Sequence, residues 1–250
     1  MLAALLPLLT ASFLGATVET YSIAGVERKA IVHPGSGAAP RGGRPLVLVF
    51  HGHGGTMRYS ERKHDVHTRW PEATVVYPEG LPSRGINDAD GARNGWQQRP
   101  RANGDRDLAF VDAILARQKG IDPKRVYATG HSNGGRFCYV LWAARGDRFA
   151  AYAPSGTPVL RPFALLKPTP FLAIAGFGDP LIKFEEQKQG VQALASRLGA
   201  DLASGTKSGP LTFAKGTGGI EVGTYFFDGG HEYPDAALDA TVALFKRTSR

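Results

Sequence analysis

The tightest constraint on this chain is the order in which short, continuously apolar segments alternate with amphipathic ones. Apolar runs fall at Ala30–His33, Leu46–Phe50, Thr74–Tyr77, Arg125–Thr129, Ala150–Ala153, Phe171–Ala175 and Thr224–Phe227. The central ones carry no polar alternation, which is how strands covered on both faces read. Between them, Arg106–Lys119 places Leu108, Val111, Ile114 and Leu115 at helical spacing, and Asn133–Ala144 does the same with Phe137, Val140 and Leu141. Phe184–Leu198 and Pro234–Lys246 follow the same rule. Strand, helix, strand in repeated order predicts an α/β fold with a mostly parallel central sheet and helices on both faces. Gly205–Gly223 is punctuated by glycine and reads as a hairpin or an irregular excursion. No internal repeat or linker divides the chain, so residues 17–250 read as a single domain.

Composition agrees and excludes alternatives. With 42% hydrophobic and 21% charged residues, the 250-residue chain is neither disordered nor a coiled coil. Its one cysteine, Cys138, cannot close an internal disulfide and falls on the apolar face of a helix, as a small core residue does. The formal net charge of +8 raises the question of an anionic partner. The basic residues are scattered or interleaved with acids, as Arg84, Arg93, Arg99, Arg101 and Arg106 are with Asp88, Asp90, Asp105 and Asp107. No run of five like charges occurs, so nucleic acid is not an expected partner. The stretch Leu81–Gly104 that holds most of these residues is long and polar, and such a loop in a compact domain is often functional.

The run from Leu2 to Leu14 has the length of a signal-peptide core and is too short to span a bilayer. Residues 1–16 are therefore expected to be a signal peptide with Ala16 the last residue removed, although no basic residue precedes the run. Secretion or export to a periplasm follows from that reading. No membrane anchor is expected, because no later segment reaches 18 apolar residues.

In a parallel sheet, ligands sit beyond the carboxyl ends of the strands. After Arg125–Thr129 the chain reads Gly130-His131-Ser132-Asn133-Gly134-Gly135, a G-x-S-x-G string between a strand and a helix. A sharp strand-to-helix turn needs flanking residues without Cβ atoms, and it holds a hydroxyl next to a helix N-terminus where an oxyanion is favoured. Ser132 is thus the candidate nucleophile; the bland alternative is a serine that merely caps the helix. A nucleophilic serine needs a histidine base whose far nitrogen is held by a carboxylate. His231 is the single histidine beyond Ser132 and follows Gly229-Gly230. Asp179 follows the strand Phe171–Ala175, and Asp228, three residues before His231, is the alternative acid. The oxyanion donors are expected to be the backbone N–H of Asn133 and of His53 or Gly54, from the turn His51-Gly52-His53-Gly54-Gly55 after Leu46–Phe50. His51-x-His53 with His64-x-x-His67 offers a rival metal reading, but neither pair has a carboxylate at a zinc spacing, so no metal is expected. His131 is expected to pack beside the turn. Trp96, in the long loop, either covers core or stacks on a substrate ring, and is carried forward as a substrate-binding candidate.

Ile121-Asp122-Pro123-Lys124-Arg125-Val126-Tyr127 running into Gly130-His131-Ser132-Asn133-Gly134-Gly135 resembles the nucleophile region of the polyhydroxybutyrate depolymerase and feruloyl esterase branch of the α/β-hydrolases. His51-Gly52, Tyr77-Pro78-Glu79-Gly80, Asn94-Gly95-Trp96, Asp179-Pro180 and Gly229-Gly230-His231 resemble that group's other blocks, in the same order. The resemblance implies the α/β-hydrolase fold and a serine ester hydrolase without cofactor, with Ser132 as nucleophile, Asp179 as acid and His231 as base. Hydroxyalkanoate oligomers and feruloyl or acetyl esters, free or linked to polysaccharide, are the implied substrates. The chain departs from the group at Gln97-Gln98, near the Trp loop where the group often has a cysteine pair, and at Glu232-Tyr233, where Thr-Trp is common after the histidine. Against this stands a second class, a binding module without catalysis on the same scaffold.

Overall fold

A computed structural model describes residues 15–250; the apolar run 2–14 lies outside the described residues, and with it the signal-peptide reading. The ten strands of the main sheet are β1 (Thr17–Ile23), β2 (Val26–His33), β3 (Arg44–Phe50), β4 (Thr74–Pro78), β5 (Ile121–His131), β6 (Ala151–Ser155), β7 (Phe171–Gly176), β8 (Thr206–Ser208), β9 (Leu211–Lys215) and β10 (Glu221–Phe227). Their spatial order is β1-β2-β4-β3-β5-β6-β7-β10-β9-β8. The six strands from β4 to β10 run parallel. An antiparallel pair extends each edge, β1–β2 on one side and β8–β9 on the other. The sheet is therefore mixed at its rims and parallel where the site lies, and Gly205–Gly223 supplies the second of the two hairpins.

β3 shows why the central runs lack polar alternation. Leu46, Leu48 and Phe50 pack into one core layer, Val47 and Val49 into the other, and all five are at most 1% exposed. The first layer lies under the helices α2 (Arg106–Arg117), α3 (Asn133–Arg145) and α4 (Phe184–Arg197). The second lies under α5 (Asp235–Arg247), whose Ala237, Leu238, Leu244 and Phe245 are fully buried.

Two elements escape the periodicity argument. β1 exposes most of its length and buries only Tyr21, because it is an edge strand with a single partner. The helix Met57–His64 buries only Ser60 and His64 and has no apolar stripe. Its one local signal is Thr56, whose hydroxyl accepts from the Tyr59 N–H at 3.1 Å as an N-cap.

Candidate active site

β5 ends at His131 and α3 begins at Asn133, so a single residue, Ser132, makes the reversal. Its backbone sits at φ 56°, ψ −119°, a left-handed conformation that a residue with a Cβ adopts only when its surroundings force it. The surroundings do. The Ser132 N–H donates to the Ser155 carbonyl at 2.8 Å, and the Ser132 carbonyl accepts from Arg136 N–H at 2.8 Å. Neighbouring backbone comes too close for side chains. A Cβ on Gly130 would lie 2.7 Å from the Gly134 carbonyl carbon, and one on Gly135 would lie 2.5 Å from the Ser155 oxygen. A Cβ on Gly134 would run into the Phe50 carbonyl.

The loops after β7 and β10 are zipped together. Phe177 and Gly178 N–H donate to the carbonyls of Phe227 and Gly229 at 2.9 Å each. This brings Asp179 to His231 across 52 residues of sequence: His231 Nδ1 lies 2.8 Å from Asp179 Oδ2. The Asp179 side chain is fully buried and its other oxygen accepts from the N–H groups of Leu181 and Ile182, both at 2.9 Å. Gln187 Nε2 adds a bond to Oδ2 at 3.2 Å. Burial pushes the carboxyl pKa up, but the His231 bond and the two N–H donors outweigh it and hold it below the ordinary carboxylate value. With Nδ1 donating to the acid, Nε2 of His231 is the basic nitrogen; it is buried and has no hydrogen-bond partner among the described residues. Asp228 is exposed and is not the residue that meets His231.

His231 and Ser132 line one cleft of about 870 Å³ with His53, Asn133, Gly156 and Ile182. Among the described residues no hydrogen bond joins Ser132 to His231. Asn133 opens α3, so its N–H has no acceptor in its own helix. Its side chain faces back to the long loop, accepting from Trp96 N–H at 2.6 Å and donating to the Trp96 carbonyl at 3.1 Å. In the turn after β3, the structure separates the two candidates for second donor. Gly54 N–H is engaged by the Asn94 carbonyl at 2.7 Å, which corrects the expectation for that residue and leaves His53.

Trp96 is likewise corrected as a substrate contact. Its ring is wholly buried, stacks on Phe137 at 5.3 Å and donates Nε1–H to the His51 carbonyl at 2.9 Å, so it is core. Gln98, two residues further on, lines the cleft instead. Tyr233 is also core: its hydroxyl lies 2.9 Å from Thr129 Oγ1 and 2.7 Å from Thr241 Oγ1, anchoring the His231 loop from beneath. The histidines of the metal reading are otherwise employed. His51 Nδ1 donates to its neighbour's carbonyl at 2.7 Å while Nε2 accepts from Gly80 N–H at 2.9 Å. His53 Nε2 lies 2.9 Å from Asp88 Oδ2, and His67 Nδ1 lies 2.8 Å from the Tyr77 hydroxyl. His131 packs at 4.6 Å from the His231 ring and lies 3.1 Å from Ser155 Oγ.

The His53–Asp88 pair was not foreseen. Asp88 also accepts from Ala92 and Arg93 N–H at 3.1 and 2.9 Å. These bonds, Arg93 N–H first and His53 next, lower its pKa to about 2. Gly85 and Gly95 flank the imidazole so closely that a Cβ on either would lie within 2.7 Å of it. The pair therefore pins the segment 85–95 of the long loop onto the cleft.

Among solved structures the acetyl xylan esterase from Aspergillus awamori superimposes with a TM-score of 0.66 over 92% of this chain and 99% of its own, at 13% identity. A thermostable esterase gives a TM-score of 0.64 over 94% of this chain and 63% of its own, at 18% identity. The chain has the α/β-hydrolase fold. In sequence, the chain is 33% identical over 182 residues to a Nocardia uniformis protein named "Putative esterase NocK", covering 68% of this chain and 50% of that one. It is 29% identical over 164 residues to "Probable feruloyl esterase C" of Aspergillus clavatus, covering 62% of this chain and 58% of that one. The chain thus spans about half the length of these relatives. No family model matches it. Among the described residues no helix is long and apolar enough to cross a membrane.

Proposed function

We propose that this α/β-hydrolase is a carboxylic ester hydrolase working through Ser132, His231 and Asp179. The observation that carries the reading is the unpartnered, buried Nε2 of His231, oriented by Asp179 at 2.8 Å and lining the same cleft as the strained Ser132. Ser132 gives its proton to His231 Nε2 and attacks the ester carbonyl. Backbone N–H groups of Asn133 and His53 hold the oxyanion that develops. The alcohol leaves with the proton from His231, and water, deprotonated by the same nitrogen, cleaves the acyl-enzyme and regenerates Ser132. Relatives named esterase and feruloyl esterase support the ester class. Feruloyl and acetyl esters are the first substrates to test, with hydroxyalkanoate oligomers after them.

The experiment is labelling and turnover in parallel. Wild-type protein should react with a fluorophosphonate probe and hydrolyse a short-chain p-nitrophenyl ester. Ser132→Ala should do neither, with turnover down by several orders of magnitude and an unchanged circular dichroism spectrum. Wild-type protein that is folded but takes no probe and turns over no ester would point to the binding module instead.

A further inference from the structure

Three guanidiniums line the catalytic cleft, those of Arg93, Arg136 and Arg161, against one carboxylate, Glu186. Of the Arg-rich loop only Arg93 reaches the cleft, and it is paired with Asp88, at 3.8 Å. The other two come from elements far from that loop. Arg136 stands one turn beyond Ser132 on α3, in the first turn of the helix, where the positive end of the helix dipole disfavours a cation. It is half-buried, and burial lowers its pKa from the ordinary arginine value. Its only protein partners are neutral: Nε donates to the Gln98 carbonyl at 3.0 Å and Nη1 to the Pro158 carbonyl at 3.2 Å. Among the described residues Nη2 donates to nothing and no carboxylate lies within ion-pairing distance, Glu186 acting on the guanidinium only from further off. Arg161 is exposed at the same rim, with its guanidinium 5.0 Å from the Phe163 ring centroid and, among the described residues, no acidic partner. A desolvated cation is ordinarily paired. Here the carbonyls fix the guanidinium plane and leave one edge for an anion, the geometry that suits a carboxylate.

Building on the esterase reading, we propose that the natural substrate is an ester carrying a free carboxylate, held by Arg136 and Arg161 while Ser132 attacks the ester carbonyl. The scissile ester itself is neutral, so the second, anionic group is what these cations recognise. Arg136 is a specificity-determining contact, not part of the proton-transfer machinery.

The test measures kcat/KM for pairs of esters that differ in charge alone. On the acyl side these are mono-4-nitrophenyl adipate and 4-nitrophenyl hexanoate. On the alcohol side they are 4-acetoxyphenylacetate and 4-ethylphenyl acetate, whose phenols are leaving groups of similar strength. At low salt the anionic member of at least one pair should be preferred tenfold or more, chiefly through KM, and the preference should shrink as salt is raised. Arg136→Gln should reduce that ratio at least tenfold, while Arg136→Lys, which keeps charge but not the fork, should retain part of it. Because Arg136 ties two loops, Arg161→Gln serves as the second variant; it has no hydrogen bond to lose, and it should reduce the ratio severalfold. Ratios at or below one in wild type for both pairs would overturn the proposal, as would a preference that survives both variants. Such a result from protein that still takes the fluorophosphonate probe and turns over the neutral esters defeats only this inference. Loss of labelling and of all turnover in wild type defeats the esterase reading beneath it.

Discussion

His231 Nδ1 meets Asp179 Oδ2 at 2.8 Å, and the acid that makes this contact is fully buried and accepts four hydrogen bonds. An amide in its place could keep most of the geometry but not the acceptor at the imidazole. Asp179→Asn should therefore strand His231 in the wrong tautomer and lower kcat about 10⁴-fold, as in other serine triads, with little change in KM. Asp228→Asn, at the exposed alternative acid, should leave kcat within twofold. Steady-state kinetics on a p-nitrophenyl ester decide it; comparable losses in the two variants would mean the acid is misassigned.

A second prediction concerns acid stability. Burial depresses His51 and His64 to about 4 and His131 to about 3, from an ordinary value of 6.5. Between pH 6.5 and 4 the unfolded chain binds protons that the folded chain refuses. Stability is therefore complete above 6.5 and falls as the pH drops, with each histidine contributing a slope of about 1.4 kcal/mol per pH unit. The lowered carboxyls of Asp88 and Asp179 act in the same sense but below their ordinary value of 3.8, a separate window. Urea unfolding from pH 7 to 4.5 should show this loss, and His131→Asn should flatten the slope by about a third. A stability flat across that range would contradict the burial of these rings.

These relationships differ in how visible they were in the residues. The run Leu46–Phe50 announces a strand buried on both faces because no solvent-facing position interrupts it. Ser132, Asp179 and His231 each stand in the loop or turn that follows a core strand, so strand assignment nominates them. What stayed hidden depends on side-chain direction and loop course. Trp96 sits in a polar loop, yet that loop turns inward and its indole fills the space over Phe137. Gly54 and His53 offer the same backbone N–H, and only the capture of one N–H by Asn94 separates them. Arg136 is an ordinary helix residue until its missing acid is noticed, and an absent partner leaves no mark in sequence.

The corrected place of Trp96 has its own consequence. Truncating a fully buried indole removes packing against Phe50 and Phe137 and leaves the His51 carbonyl without its donor. Trp96→Ala should reduce the unfolding free energy by about 3–5 kcal/mol. If the ring were instead a substrate platform, KM would rise and stability would barely move. Thermal unfolding beside Michaelis kinetics separates the two.

The clasp between His53 and Asp88 holds the segment 85–95 against the cleft wall, where Arg93 and Asn87 face the ligand space. Asp88→Asn removes the charge that binds His53 and weakens the acceptor for two backbone N–H groups. Faster amide exchange confined to residues 85–95 is expected, with kcat/KM down roughly tenfold because His53 also carries the proposed second oxyanion donor. Unchanged exchange there would show that Gly85 and Gly95 packing suffices without the Asp88 carboxylate.

Ser132 sits at φ 56° and ψ −119° because the strand-to-helix reversal requires it, and a conformation so rare for a residue with a Cβ costs on the order of 1–3 kcal/mol. Glycine visits that region freely. Ser132→Ala and Ser132→Gly should both be inactive, yet only the glycine variant sheds the strain. Part of the gain is offset by the greater entropy of glycine in the unfolded chain. For a domain of this size 1 kcal/mol corresponds to about 2–4 °C in Tm, so Ser132→Gly should melt a few degrees above Ser132→Ala. Calorimetry on the two inactive proteins measures the difference without interference from turnover. A lower Tm for the glycine variant would mean that the turn is held by the Ser132–Ser155 hydrogen bond and the glycine contacts with no strain to relieve.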